Sequence, residues 1–325
     1  MASSAKAGDG RRSSAGYNNC GTSIWLEARG IGVPNADGAE SMAGKAVLIT
    51  GATDGIGLVT ARELVRRGAG VWIVGRNPEK VRRVAEELGR EPGAAGPVGS
   101  FVADLSRTAA VRAVAEEVRG AVPRIDVLVN NAGAMFLTRE ETEEGFEKTF
   151  ALNHLGYFTL TNLLLERLRA AGAARIVCVA SDAHRNARGI DFEDLQARGR
   201  YSGWGAYCRS KLANVLFTRE LARRLVGTGV TANCLHPGFV RTAFFGWPGM
   251  AGTITRAFAR IGAISPEQGA RTSVYLASSP EVQGVTGKYF SKCRDVEPSR
   301  AARDDAAARR LWELSEELTG VRFPA

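Results

Sequence analysis

Tyr207 and Lys211 stand four residues apart at the head of an apolar-periodic stretch, Leu212, Val215 and Leu216. On a helix that spacing brings both side chains to one face. A phenol and an ammonium held together make an acid/base centre. The phenol's ordinary pKa of about 10 is too high for a base at neutral pH. An ammonium roughly 5 Å away, at an effective dielectric near 20, contributes about 3 kcal/mol, enough to lower that pKa by about two units. Lys211 is therefore expected to depress Tyr207.

Ser181 follows the apolar run Ile176-Val177-Cys178-Val179. At the end of a buried strand its hydroxyl can donate to an oxygen on which charge develops. It is not the centre of a Gly-x-Ser-x-Gly elbow, so a Ser-His-Asp hydrolase is not supported. His154, His184 and His236 are not spaced as metal ligands. They read as structural, with His184 expected to border a substrate, and no metal is expected.

A second group lies near the start. Thr50-Gly51-Ala52-Thr53-Asp54-Gly55-Ile56-Gly57 follows a β-branched run and opens a helical pattern, Leu58 through Arg67. Glycines there permit a tight turn and close approach of backbone to a pyrophosphate, while the helix N-terminus offers free N–H groups and partial positive charge. The second strand ends in Gly75-Arg76-Asn77. A carboxylate in that place would accept both ribose hydroxyls of NAD and repel a 2′-phosphate, whereas the planar cation of Arg76 suits that phosphate. NADP(H) is the cofactor expected. The other account of Arg76 is a solvated residue beside an Asn77 N-cap and a Pro78 helix start.

These groups need elements to hold them. Ala46–Ile49, Val71–Val74, Ser100–Val102, Val127–Val129, Ile176–Val179 and Val230–Ala232 read as strands alternating with amphipathic helices, with a last strand at Lys288–Phe290. Such βαβ alternation with near-continuous apolar strands implies an α/β fold, a doubly wound, mostly parallel sheet of Rossmann type in a single domain. Leu311, Leu314 and Leu318, with Trp312 beside them, read as a terminal helix docking on the body. Residues 1–42 lack sustained periodicity and read as a flexible extension, with the fold starting near Gly44 and occupying 43–325. Met42 as the natural start of translation is the alternative.

Apolar residues at 45% and charged residues at 24% are globular values. No membrane-spanning run or signal pattern is present, so a soluble, cytoplasmic chain is expected. Cys20, Cys178, Cys208, Cys234 and Cys293 are scattered and read as reduced thiols. The net charge of +9 does not choose among acidic partners. Basic residues alternate with acidic ones, and no basic cluster interleaves with aromatics, so no nucleic-acid partner is expected.

The motifs in order, Gly-x-x-x-Gly-x-Gly at 51–57, Ala103-Asp104-Leu105, Asn130-Asn131-Ala132-Gly133, Ser181, Tyr207-Cys208-Arg209-Ser210-Lys211 and Pro237-Gly238, resemble the short-chain dehydrogenase/reductase family over about residues 43 to 319. Leu152–Gly156, Tyr207–Asn214 and Leu311–Ser315 are similar to its retinol dehydrogenase branch. The resemblance implies an oxidoreductase that moves hydride between nicotinamide and an alcohol/carbonyl pair. It implies that Asp104 and Leu105 lie along the adenine and that Asn131, Ala132 and Gly133 wall the adenosine ribose. Pro237, Val240 and Thr242 would flank the nicotinamide. Lys211 would also hold the nicotinamide ribose, and Asn153 would join Ser181, Tyr207 and Lys211 by propping a water beside the lysine. Thr53-Asp54 stands where that branch often has Asn.

The resemblance also places a substrate lid at about 239–265, where Phe239, Phe244, Phe245, Trp247, Met250, Ile254 and Phe258 imply an apolar substrate, retinoid-, steroid- or aldehyde-like. Core or dimer contacts are the other account of these side chains. Arg241, Arg256 and Arg260 leave open a helix lying on a membrane surface, and a homo-oligomer is also open. The rival function is a non-catalytic NADP-binding sensor or scaffold on the same fold. It has no need of the whole set Asn153, Ser181, Tyr207 and Lys211.

Overall fold

Val47 and Ile49 face one side of β1 (Ala46–Thr50) and Leu48 the other, and that alternation divides the interior in two. On the Val47 side, the sheet is covered by α1 (Gly55–Arg66), α2 (Pro78–Gly89) and α6 (Pro266–Ser278), through residues such as Leu64, Leu88 and Val274. On the Leu48 side lie α3 (Thr108–Ala121), α4 (Gly156–Leu163), α5 (Gly203–Arg224) and α7 (Asp305–Thr319). The computed structural model describes residues 41–239 and 264–324.

The remaining strands are β2 (Gly70–Gly75), β3 (Val98–Val102), β4 (Val127–Asn130), β5 (Arg175–Val179), β6 (Thr231–His236), β7 (Tyr289–Ser291) and β8 (Arg294–Asp295), in the sheet order β3-β2-β1-β4-β5-β6-β7-β8. All pairings are parallel except β7 with β8. This is the doubly wound sheet expected. Parallel strands put all their C-terminal ends on one edge, and the sheet order reverses direction between β1 and β4, which is where such sheets bind ligands.

Several boundaries differ from the sequence reading. β3 starts at Val98 and β6 runs on to His236, because pairing of β3 to β2 and of β6 to β5 and β7 extends beyond the β-branched cores. α1 begins at Gly55 rather than Leu58, since Asp54 caps it by accepting from Gly55 N–H at 2.7 Å. The antiparallel β8 was not anticipated; Lys292 and Cys293, at φ of 51° and 60°, turn the chain back into it. Met42 is already 5% exposed and its N–H donates to Arg67 O at 2.7 Å, so packing begins ahead of Gly44. Residues 1–40 of the expected extension, Cys20 included, lie outside the described residues.

In α7 the anchors are Leu311, Trp312 and Ser315, with Leu314 and Leu318 only half-buried. Trp312 stacks on Phe217 of α5 at 5.7 Å, and Arg224 lies 4.5 Å over the indole. The long helix α5 is thereby enclosed, and every residue from Ser210 to Thr218 is buried. Among the described residues no helix is long and apolar enough to cross a membrane.

Candidate active site

The glycine turn is shaped by clearance. A Cβ on Gly57 would stand 2.4 Å from both Asn131 Nδ2 and Gly51 O, and one on Gly51, at φ +65°, would stand 2.7 Å from Ala132 Cα. Asn131 lies this close because it clamps the turn: its Nδ2 donates to Thr50 O at 2.8 Å and Gly51 O at 3.1 Å. Thr50 Oγ1 accepts from the N–H groups of Asn131 and Ala132 at 2.9 and 3.0 Å. The backbone at the head of α1 is thus left open to a ligand, with Ile56 in its first turn. Asn131 serves the turn with its amide, and Ala132 and Gly133 follow along the cleft.

Arg76 is exposed at the end of β2. Asn77 caps α2 by accepting from Lys80 N–H at 2.9 Å, with Pro78 in the first turn. The cap and the exposed cation therefore coexist. Asp104, beyond β3, accepts from the Ser106 N–H and hydroxyl at 3.0 and 2.7 Å. Burial pushes its pKa up, but those bonds and the charges of Arg76 and Lys148 outweigh it and hold the carboxyl below its usual range. Arg76 and Asp104 thus face the same end of the cleft. Leu105 is buried, and Gly156 lets α4 approach it: a Cβ there would stand 2.6 Å from Leu105 O. Lys80 pairs with Asp54 at 2.9 Å across the mouth of the turn.

At the other end, α5 carries Tyr207 and Lys211 on one face, Nζ lying 5.7 Å from the phenol ring centre. Lys211 is 3% exposed and donates to Val179 O at 2.9 Å. Ser181 hydrogen-bonds the Tyr207 hydroxyl, while its own Oγ accepts from Ala183 N–H at 3.2 Å. Asn153 sits in a π turn, Ala151–Leu155, and is fully buried. Its amide accepts from Ala134 N–H and donates to Ala134 O, both at 2.9 Å, and donates to Ser210 Oγ at 2.9 Å. It thereby ties the Gly133 loop to α5. A Cβ on Gly133 would stand 3.1 Å from Asn153 Oδ1 and 3.4 Å from Lys211 Nζ, so all four polar residues converge on one spot.

Burial changes the electrostatics expected of the pair. Desolvation lowers the Lys211 pKa to about 7 and pushes Tyr207 up to about 12, against the hydrogen bond from Ser181. An ammonium that loses its proton near 7 carries no charge where the phenol titrates. Burial of both groups therefore works against the depression of Tyr207 by Lys211 that their spacing implies.

His184 does not border the cleft. It is fully buried, its Nδ1 bonded to Ser181 O at 2.7 Å and its Nε2 accepting from Ser299 N–H at 3.1 Å. His236 Nδ1 accepts from Asp182 N–H at 3.2 Å. His184 thus holds the Ser181 carbonyl and His236 the following residue, and burial lowers the pKa of both histidines. His154 joins Ser315 of α7 at 2.8 Å. Pro237 is half-buried just past β6. Among the described residues no cluster of His, Cys, Asp or Glu could hold a metal ion.

The chain and its fold have counterparts among known proteins. The chain matches the family model described as short chain dehydrogenase over residues 45–246. It belongs to the short-chain dehydrogenase family. Mouse retinol dehydrogenase 14 is 43% identical over 93% of this chain and 95% of its own length, which places the chain with the retinol dehydrogenase-like members. The solved structure of an uncharacterized protein from Mycobacterium paratuberculosis aligns with TM-score 0.70 at 40% identity, covering 88% of this chain and 97% of that one. A Pseudomonas aeruginosa RhlG/NADP complex aligns with TM-score 0.62 at 28% identity, covering 77% and 95%. This short-chain dehydrogenase is accordingly an oxidoreductase acting on CH–OH and C=O groups.

Of the residues singled out from sequence, Val240 and Thr242 lie outside the described residues, as do Phe244, Phe245, Trp247, Met250, Ile254, Phe258, Arg241, Arg256 and Arg260. The structure adds Thr50, Gly75, Ala134 and Ser210. A Cβ on Gly75 would stand 2.8 Å from Val81 Cγ2 and 2.9 Å from Thr53 Cγ2, so glycine there lets the turn and α2 close on each other. A glycine ending a strand of β-branched residues was the available signal. Thr50 and Ser210 gave none, because their partners are distant in sequence.

Proposed function

We propose that this short-chain dehydrogenase is NADP(H)-dependent, with Tyr207 as proton donor and acceptor for an apolar alcohol/carbonyl pair. The observation that carries the catalytic reading is the convergence of Ser181, Tyr207, Lys211 and Asn153 at the C-terminal edge of β4 and β5. The residues present fit the cofactor: the clearances at Gly51, Gly57 and Gly133 leave backbone exposed for a dinucleotide, and Arg76 stands where a 2′-phosphate would be read. NADPH, when bound, supplies the hydride.

The chain's own residues do the rest. Ser181, its backbone carbonyl held by His184, donates toward the substrate oxygen as negative charge develops on it. Tyr207 gives that oxygen its proton in reduction and removes it in oxidation. A phenol pushed up to about 12 by burial holds its proton at neutral pH, which suits the donor role. Lys211 stands beside the phenol ring and Asn153 holds the loop that leads to both. Support for NADP over NAD is Arg76 in place of an acidic residue, and the NADP bound by the Pseudomonas aeruginosa relative. Support for an apolar substrate is the aromatic content from Phe239 onward and the retinol dehydrogenase name of the mouse relative.

The test of cofactor choice is kcat/KM for NADPH against NADH. The wild type is expected to favour NADPH, and Arg76→Asp to cut the ratio by at least about tenfold, the scale of one charge-assisted pair. Equal specificity constants for the two cofactors in the wild type would refute the NADP assignment.

A further inference from the structure

Among the described residues five large apolar side chains are exposed: Val102, Leu137, Trp204, Val226 and Phe239. Val102 ends the edge strand β3 and Val226 follows α5, places where solvent contact is ordinary. Leu137 and Trp204 are different, because the Leu137 backbone lies against Gly203, the residue before Trp204, and Trp204 lies beside Tyr207. The Tyr201 hydroxyl donates to Phe136 O at 2.7 Å, tying the loop after β4 to the entry of α5. Gly203 completes the joint: a Cβ there would stand 2.5 Å from Phe136 O and 2.8 Å from Leu137 Cα. Trp204, next in the chain, then lies on the face of α5 that carries Tyr207 three residues on, with ring centres 5.9 Å apart. It is 51% exposed and Leu137 is 47% exposed.

We propose that Trp204 and Leu137 form the outer wall of the substrate site and select for an extended apolar tail carried by the carbonyl compound. The inference rests on Tyr207 being the acid/base residue, and it adds residues outside the 239–265 segment. An indole packed against the Tyr207 ring, with half its surface free, is covered when a substrate longer than the reacting group enters. Short substrates do not reach it.

The experiment is a series of n-alkanals, three to ten carbons long, reduced with saturating NADPH. In the wild type each methylene that reaches the wall leaves water, worth about 0.8 kcal/mol or roughly a fourfold gain in kcat/KM. Trp204→Ala is expected to flatten that rise, lowering kcat/KM for the longest aldehyde about tenfold more than for the three-carbon aldehyde, with the difference carried by KM. Trp204→Phe should keep most of the slope. An equal loss at every length, or none, overturns the proposal. Should Trp204→Ala not fold, as judged by Tm and NADPH affinity, Leu137→Ser carries the same comparison. Tyr207→Phe separates the two readings: inactivity at every length upholds the acid/base assignment even where the slope test fails, and retained activity removes that assignment whatever the slope does.

Discussion

The two ends of the cleft are built by different means. The nucleotide end, from Gly51 to Gly57 with Asn131 behind it, is made of backbone: its shape depends on where side chains are missing, and its polar groups are main-chain N–H and C=O set by one threonine and one asparagine. The proposed reacting end is made of side chains, the buried Asn153, Tyr207 and Lys211 and the half-buried Ser181, held through Ser210, the Val179 carbonyl and His184. A backbone site tolerates no added atom but carries little titrating charge. A side-chain site has its protonation set by burial, so its properties move with pH and with whatever fills the cleft.

The largest effect expected from this contrast is on rate. Tyr207→Phe keeps the ring and removes the hydroxyl, so kcat should fall by on the order of 10² to 10⁴ while NADPH affinity is unchanged. Single-turnover reduction and a cofactor titration measure the two separately. Wild-type turnover in a folded Tyr207→Phe protein would leave the reacting end without its proton donor.

Gly57→Ala should do the opposite. Its methyl meets backbone as well as the Asn131 amide, so something must shift at a cost of about 1–3 kcal/mol. NADPH affinity should weaken roughly tenfold to a hundredfold, with kcat at saturating cofactor retained. A parallel collapse of kcat would show that the two ends are one mechanical unit, and the contrast would be lost.

A smaller effect concerns stability. Lys211 titrates at about 7 in the folded chain, below the ordinary value for lysine. Between that pH and the unfolded value of about 10.4 the unfolded chain binds more protons, so this residue makes stability rise with pH across the window. Below about 7 its contribution is at its least favourable. Lys211→Met, which removes the charge and keeps much of the stem, should flatten the rise of Tm between pH 7 and pH 10. An unchanged Tm profile would mean that Lys211 is solvated well enough to keep its proton, and with it a charge able to depress Tyr207.

Much of this was legible in the residues alone. Alternating β-branched and amphipathic runs yield a doubly wound sheet because strand and helix periods differ, and a glycine turn after the first strand marks the nucleotide end. Tyr207 and Lys211 share a face by helical geometry, and Ser181 follows its strand. These are consequences of short-range spacing, which a chain carries wherever it folds. What remained hidden depended on pairings across long separations: Thr50 with Asn131, Asn153 with Ser210, His184 with Ser299, and Leu137 with Gly203. Proton affinities were hidden for a related reason. Spacing brought an ammonium near a phenol and implied a depressed pKa. Only the packed structure, by withdrawing both groups from water, sets burial against that expectation, moving Lys211 down and Tyr207 up.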